Sequence, residues 1–282
     1  MTRGRERFAI AGDWLAGSGE SCAWNNLGYW GDDIAAGNNP YAEACERLLA
    51  CHLEPLGPLS PDLPVLEVGC GYGASLPQWY AAGARHWRGL ERRSSCLEYL
   101  SAHRGSSPQS FTVDARQGRF DQPLPSDWAP ADCQAVVCVD AAYHARSFAD
   151  FVAALSPALL PGGKLVITTL VRHSDQPLSW SLRAALALAR VPQASVPGPT
   201  VYQQVLATHG LRLEQMSCLN DAVLGGFPRW VAHRRQYSRG TSPAASLFDM
   251  SKILATAQLC QRLYRDPQVS YSLMVAGMNG PE

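Results

Sequence analysis

The sequence has too little of what nucleic-acid-binding, membrane-spanning and disulfide-built proteins carry in excess. Its charges cancel, 24 Lys and Arg against 24 Asp and Glu. With no net charge and no basic stripe it is poorly equipped to grip a phosphate backbone, so no nucleic-acid partner is expected. No apolar run approaches the ~18–20 residues that span a bilayer. The opening MTRGRERFAIAGDW interleaves Arg with Glu and has no long apolar stretch. It does not read as a secretory signal, and the cytoplasm is the expected compartment. Nine cysteines are an odd number, and none is spaced as CxxC, so neither a disulfide framework nor a metal site is indicated. Cys70, Cys133 and Cys138 fall in a glycine loop and predicted strands, where they read as small buried apolar residues. Repeats and low-complexity tails are missing.

What is present is core-forming material: 46% of the 282 residues are apolar. Residues 1–40 read as a short helix plus an arm, and a helix over about 41–53 ends before the linker 55-PLGPLSPDLP-64. A regular rhythm follows. Strands are expected at 65–68, 86–91, near 110–114, at 133–140 and at 164–171, with helices at 74–83, 94–103 and 148–159 between them. Strands alternating with helices define an α/β protein with a parallel sheet covered on both faces. The run 161-PGG-163 is expected to end the helix before the last of these strands. Past residue 171 a small helix (178–190), a helix and strand (200–217), an amphipathic helix (243–265) and a closing strand, 269-VSYSLMVAG-277, are expected. Leu247, Met250, Leu254, Ala257 and Leu263 would share one face of that amphipathic helix.

The densest chemical signal is 66-LEVGCGYGAS-75. Counted from Gly69 it satisfies the dinucleotide fingerprint G-x-G-x-x-A, ending on Ala74, and counted from Glu67 it reads E-x-G-x-G-x-G. A pyrophosphate seeks backbone N–H groups with no anion beside them. A sulfonium nucleoside tolerates and uses a carboxylate such as Glu67. Glu91, 22 residues past Gly69, sits where an acid binds ribose hydroxyls in either case.

The ordered stretches 65-VLEVGCGYGASL-76, 89-GLERR-93, 112-TVDA-115, 133-CQAVVCVDAAYH-144 and 158-ALLPGGKLVIT-168 decide between them. Over about 110 residues the chain resembles a class I S-adenosylmethionine-dependent methyltransferase of the small-molecule type, and 271-YSLMVAG-277 resembles that family's closing antiparallel strand. The resemblance implies a Rossmann-like, seven-stranded, mostly parallel sheet with a helical cap and an N-terminal arm. Its units would be 1–60 (arm and helix over the cofactor), 61–171 (cofactor-binding core) and 172–282 (cap and the elements completing the sheet). It also implies roles for residues. Gly69, Cys70, Gly71 and Gly73 would let the backbone approach the methionine moiety, and Glu67 would orient its amino group. Glu91 would take the ribose hydroxyls, with Arg92 flanking the adenine, while Asp114 and the backbone of Ala115 would read the adenine edge. Asp140 would contact cofactor or substrate.

The segment 26-NLGYWGDD-33 resembles the arm that many small-molecule and quinone methyltransferases fold over the cofactor, with Tyr29 and Trp30 offering ring faces to the sulfonium. The alternative is that both rings plug the edge of the core. The neighbouring 38-NNPYAE-43 looks like an N-P-P-Y box but lacks the second proline and precedes the glycine loop. His144, after the fourth strand, is the candidate catalytic base, with a packing role equally open. His173 and Asp175 are weaker substitutes, and Thr168 and Thr169 stand where some relatives carry an acid. The segments 172–200 and 219–237 are expected to cap the acceptor site, with Tyr143, Trp180, Phe227 and Trp230 as substrate contacts. Arg229, His233, Arg234 and Arg235 read as a solvated helix face, with a contact to an anionic group such as a carboxylate or phosphate as the alternative. The expected acceptor is a small, apolar or aromatic metabolite, and a homodimer is left open. Three other readings stay open: a nicotinamide oxidoreductase, a catalytically silent cofactor-binding protein, and a pericyclase-like cyclase on the same fold.

Overall fold

The computed structural model describes residues 23–31, 40–103, 108, 110–128, 130–237 and 247–280. Asp32, Asp33, Cys22 and the helix expected near the start lie outside the described residues. Each strand of the expected rhythm forms, and the reason is burial. The strand β1 (Val65–Val68) is buried along its whole length, as is nearly all of β4 (Cys133–Cys138). Continuous apolar runs of this kind suit strands covered on both faces.

Between them lie β2 (His86–Glu91) and β3 (Thr112–Gln117). The strand β5 (Leu159–Arg172) is followed by β6 (Leu211–Cys218) and β7 (Val269–Met278). The seven form one sheet in the order β3-β2-β1-β4-β5-β7-β6. The pairs among β1 to β5 are parallel, and β7 is inserted antiparallel between β5 and β6. Contrary to expectation, PGG does not precede the fifth strand. The pairing with β4 runs from Leu159 and resumes at Lys164 after a register shift, so 161–163 is an irregularity inside the strand.

Helices cover both faces. On one, α4 (Phe148–Leu155) and α6 (Pro199–Thr208) place Phe148, Phe151, Val152, Leu155 and Leu206 against Leu66, Val68 and Val136. On the other, α2 (Leu76–Ala81) sets Trp79 on Val65, Ala135 and Val137. The alternation Val65/Leu66 is the period-2 signature of the strand. Helix α3 (Ser94–His103) follows β2. Helices α1 (Pro40–Leu53), α5 (Trp180–Leu188), α7 (Gly226–Tyr237) and α8 (Leu247–Tyr264) build a separate apolar cluster with the arm. The buried stripe of α8 is Ile253, Ala257, Cys260 and Leu263, with Leu254 only partly buried. The face is therefore turned from the one expected, and the side chains of Leu247 and Met250 lie outside the described residues.

The turn after β1 is fixed by conformation. Gly69, Gly71 and Gly73 have φ of 73°, 57° and 75°, a region that costs other residues about 1–2 kcal/mol each. At Gly73 an added Cβ would also collide with Leu100 Cδ1 on α3. Gly73→Ala is therefore expected to destabilise the protein by about 2–4 kcal/mol, the left-handed penalty plus an overpacked contact. A midpoint shift below ~1 kcal/mol in urea titration would show that the loop is not so constrained.

Candidate active site

The strand ends at the carboxyl edge of β1, β2 and β4 converge on one place, because parallel strands of similar length finish together. Three carboxylates organise it. Glu67, buried in β1, accepts on one oxygen from Ser75 Oγ (2.6 Å), Trp79 Nε1 (2.6 Å) and Trp87 Nε1 (3.1 Å). Burial pushes its carboxyl above the usual range, against those three donors. It ties β1, the start of α2 and β2 into one piece directly beneath the glycine turn.

Glu91 ends β2. Its Oε2 accepts from Gly71 N (3.0 Å), and its Oε1 from Arg93 N (2.9 Å) and Arg93 Nε (3.1 Å). The residue turned inward is thus Arg93, whereas Arg92 is exposed. Cys70 is buried, its amide bonded to Leu90 O, and its thiol is pushed up chiefly by burial. It acts as an apolar filler.

Asp140 follows β4 in a left-handed conformation, φ 54°. Its Oδ1 accepts from Tyr143 Oη (2.7 Å) and Tyr271 Oη (2.6 Å), and its Oδ2 from Leu27 N (2.7 Å). Its own N–H donates to Thr168 Oγ1 (2.8 Å). One residue therefore joins the arm and β7 through its carboxylate and β5 through its backbone. Burial raises its pKa to about 6 despite the three donors.

The arm crosses this edge. A Cβ at Gly71 would lie 3.7 Å from Asn25 Nδ2 and 3.8 Å from Arg93 Nη2, so arm and β2 end overhang the loop together. Tyr29 N bonds Ala44 O, and Trp30 N bonds Ala222 O. Trp30 is buried, stacks on Trp230 at 4.5 Å between ring centroids, and donates its Nε1 to Leu27 O. Tyr41, in the stretch that looks like an N-P-P-Y box, is buried and donates to Asn26 O.

Several expected positions fall elsewhere. Asp114 pairs in register with Arg88, whereas Glu91 pairs with Gln117. Asp114 thus sits three residues below the strand end, about 10 Å down the strand. Its carboxylate is held by Arg116 (2.6 Å) and Trp128 Nε1 (2.9 Å), which keep it below the usual range against the opposing effect of burial. Ala115, level with Gly89, is likewise within the strand. The side chain near the loop from this side is Phe120, 3.9 Å from where a Gly69 Cβ would be. Phe227 and Trp230 are core residues of the arm cluster rather than walls of an open pocket, and Trp180 is 81% exposed on the outside of α5. Aromatic content alone cannot tell a ring that selects a ligand from one that fills a core.

His144 closes a short turn after Asp140 and Tyr143, and its Nδ1 faces Arg190 O at 3.3 Å. Desolvation by surrounding protein, with a smaller contribution from the charge of Arg92, lowers its pKa against that hydrogen bond. His173 Nδ1 is bound to Pro267 O, and Asp175 accepts from Thr200 at the start of α6, so both are committed to structure. Arg229 donates to Asp221 O and Arg234 lies 5.5 Å over the Trp230 ring. Tyr271, Arg93, Asn25 and Phe120 are the residues that sequence reasoning passed over. Only Arg93 carried a signal, as the second Arg of 89-GLERR-93.

A cavity of about 480 Å³ lies elsewhere, between the 121–130 loop and α4, with Leu124, Trp128, Ala154 and Pro157 among its walls. It contains none of the edge residues. Among the described residues there is no group of His, Cys, Asp and Glu fit to hold a metal ion, and no helix is long and apolar enough to cross a membrane.

This donor set fits a sulfonium nucleoside. The left-handed glycines leave the loop backbone bare, and Glu91 presents a carboxylate where a ribose would lie. A 2′-phosphate on that ribose would face Glu91 as a like charge. Sheet order, loop and acid together are those of the class I, S-adenosylmethionine-dependent methyltransferase fold. Residues 66–167 match the family model described as a methyltransferase domain.

Among curated proteins the chain is 33% identical over 131 residues to the tRNA U34 carboxymethyltransferase of Pseudoalteromonas translucida (strain TAC 125), a match covering 46% of this chain and 38% of that one. The chain thus spans well under half the length of that relative. Its fold matches Haemonchus contortus phosphoethanolamine N-methyltransferase 2, bound to phosphomonomethylethanolamine and S-adenosylhomocysteine. That match has a TM-score of 0.72 and 14% identity, and covers 95% of this chain and 56% of that one. It also matches the 4+2 cyclase SpnF, at TM-score 0.64 and 16% identity over 96% of this chain and 93% of that one. The first relative acts on tRNA by name, which weighs against the expectation of no nucleic-acid partner.

Asp140 supplies a test of this geometry by pH. Its folded-state pKa of about 6 exceeds the ordinary 3.8, so between these values the folded chain binds more protons than the unfolded one. The group's contribution to stability is then full below about pH 4 and is lost as pH rises through about 6. Asp140→Asn removes that titration. The melting temperature of wild type relative to the variant is expected to fall between pH 4.5 and 7; a flat or rising difference would contradict the assigned burial.

Proposed function

We propose that the protein transfers a methyl group from S-adenosylmethionine to a small-molecule acceptor. The observation that carries this reading is the carboxyl edge itself: bare left-handed glycines and Glu91 stand opposite Asp140, Tyr143 and Tyr271. The donor, when bound, supplies a methyl on a positively charged sulfur that is already activated for in-line displacement. What the chain must add is position, alignment and exclusion of water.

Glu91 and the glycine turn would seat the ribose and methionine ends. Glu67 would act one step back, by holding the loop through Ser75, Trp79 and Trp87 rather than by touching the donor. The strap Leu27–Trp30, tied to Asp140 and to the cap, would shut water from the reacting methyl. The phenols of Tyr143 and Tyr271 would orient an acceptor group against it. His144, its pKa lowered, would be neutral near pH 7 and able to take a proton from an approaching nucleophile. Asp114, Ala115 and Arg92 would frame the adenine only at its outer rim, since two lie within β3 and the third is exposed.

Two features favour a small acceptor over tRNA and a methyl over a carboxymethyl group. The balance of 24 basic and 24 acidic residues leaves no net charge to attract a polyanion. A carboxymethyl group would bring its own carboxylate towards Asp140. The experiment is direct. The purified chain is titrated calorimetrically with S-adenosylmethionine and with NADPH, then incubated with methyl-labelled donor and a panel of metabolites and bulk tRNA. Saturable donor binding with label in a small product supports the reading. Nicotinamide binding alone, or label found only in tRNA, overturns it. Donor binding with no label transferred, but with an acceptor rearranged, points to a cyclase.

His144→Ala is expected to lower turnover about a hundredfold while changing donor affinity by less than about twofold. An unaltered rate removes His144 from the base role.

A further inference from the structure

The ribose seat holds a competitor supplied by the chain itself. A carboxylate offers about four lone-pair sites, two on each oxygen. On Glu91, Arg93 N and Arg93 Nε both occupy Oε1, and Gly71 N occupies one site on Oε2. The two backbone donors are built into the turn. Arg93 N belongs to the chain two residues on, and Gly71 N to the loop that the strand order sets beside it. A ribose presents two hydroxyls to such an acid, one to each oxygen. Oε2 carries one donor and Oε1 two, and of the three only the Nε–H of Arg93 comes from a side chain, the donor a ribose hydroxyl would compete with.

That guanidinium has somewhere to go. It already lies 5.7 Å from the Tyr72 ring centroid, and its Nη2 and Asn25 Nδ2 from the arm flank the same point above Gly71, at 3.8 and 3.7 Å. The pair Arg93–Glu91 is well shielded, with side chains 15% and 7% exposed, so solvent screening does little to weaken the contact that must be broken.

We propose that Arg93 is a displaceable plug of the donor's ribose seat, giving up its Glu91 contact when the ribose enters and moving over Tyr72 against Asn25 of the arm. This rests on the reading of the edge as an S-adenosylmethionine site. In consequence the donor binds more weakly than its own contacts allow, and donor entry is linked to settlement of the arm, because the side chain that yields lies beside the arm. The plug adds no bond to the donor. It is a positioning residue acting through Glu91.

The test is calorimetric titration of wild type, Arg93→Ala, Arg93→Met and Asn25→Ala with S-adenosylmethionine and S-adenosylhomocysteine, with circular dichroism to verify folding. Both Arg93 variants are expected to bind each nucleoside about tenfold more tightly, the worth of roughly one charge-assisted hydrogen bond released. Asn25→Ala is expected to weaken binding in wild type but not in Arg93→Ala, a non-additivity that a merely structural arginine would not produce. Unchanged or weaker binding by the folded Arg93 variants overturns the inference and leaves the site reading intact. A wild type that binds neither nucleoside removes both. Should Arg93→Ala fail to fold, Arg93→Met, which keeps much of the side chain's apolar bulk and has no donor, carries the same comparison.

Discussion

The carboxylate of Asp140 is the contact on which the functional edge depends. Burying an anion costs several kcal/mol, and hydrogen bonds to a charged group return about 1.5–3 kcal/mol each. Three donors converge on Asp140, from the arm, from β7 and from its own turn. The pKa near 6 says which side wins: desolvation slightly exceeds the donors. The left-handed backbone at Asp140 adds to that cost. The arm, the turn after β4 and β7 are thus tied through one carboxylate.

The interior of the sheet was legible because β1 and β4 are short, nearly continuous apolar runs; β1 and β2 fall where the residues put them, and β4 ends at Cys138, two residues early. The outer edge was not. Arg116 and Gln117 are polar, as the exposed flank of an edge strand requires, so β3 looked finished at Asp114 when it continues to Gln117. That error of three residues put Asp114 at the strand end, whereas it lies inside the strand. The glycine turn and Glu91 were legible because their chemistry is local, set by φ and by the end of a strand.

The remainder of the site depends on contacts distant in sequence. Tyr271 lies 131 residues from Asp140, in a strand whose sequence announces only that it is buried. Trp30 and Trp230 are each conspicuous, yet nothing in their neighbourhoods tells that they stack on one another rather than on a ligand. Arg93 was hidden by its neighbour: two consecutive arginines leave open which turns inward, and the turn after β2 selects the second.

Glu67 makes the floor of the loop a joint property of four side chains. One oxygen serves Ser75, Trp79 and Trp87, and all three donors would be stranded together by loss of the acid. A change at any one of the four positions alters what the other three can tolerate, since residues sharing one acceptor are not additive. Loss of any one of the four therefore loosens the floor on which the glycine turn is seated.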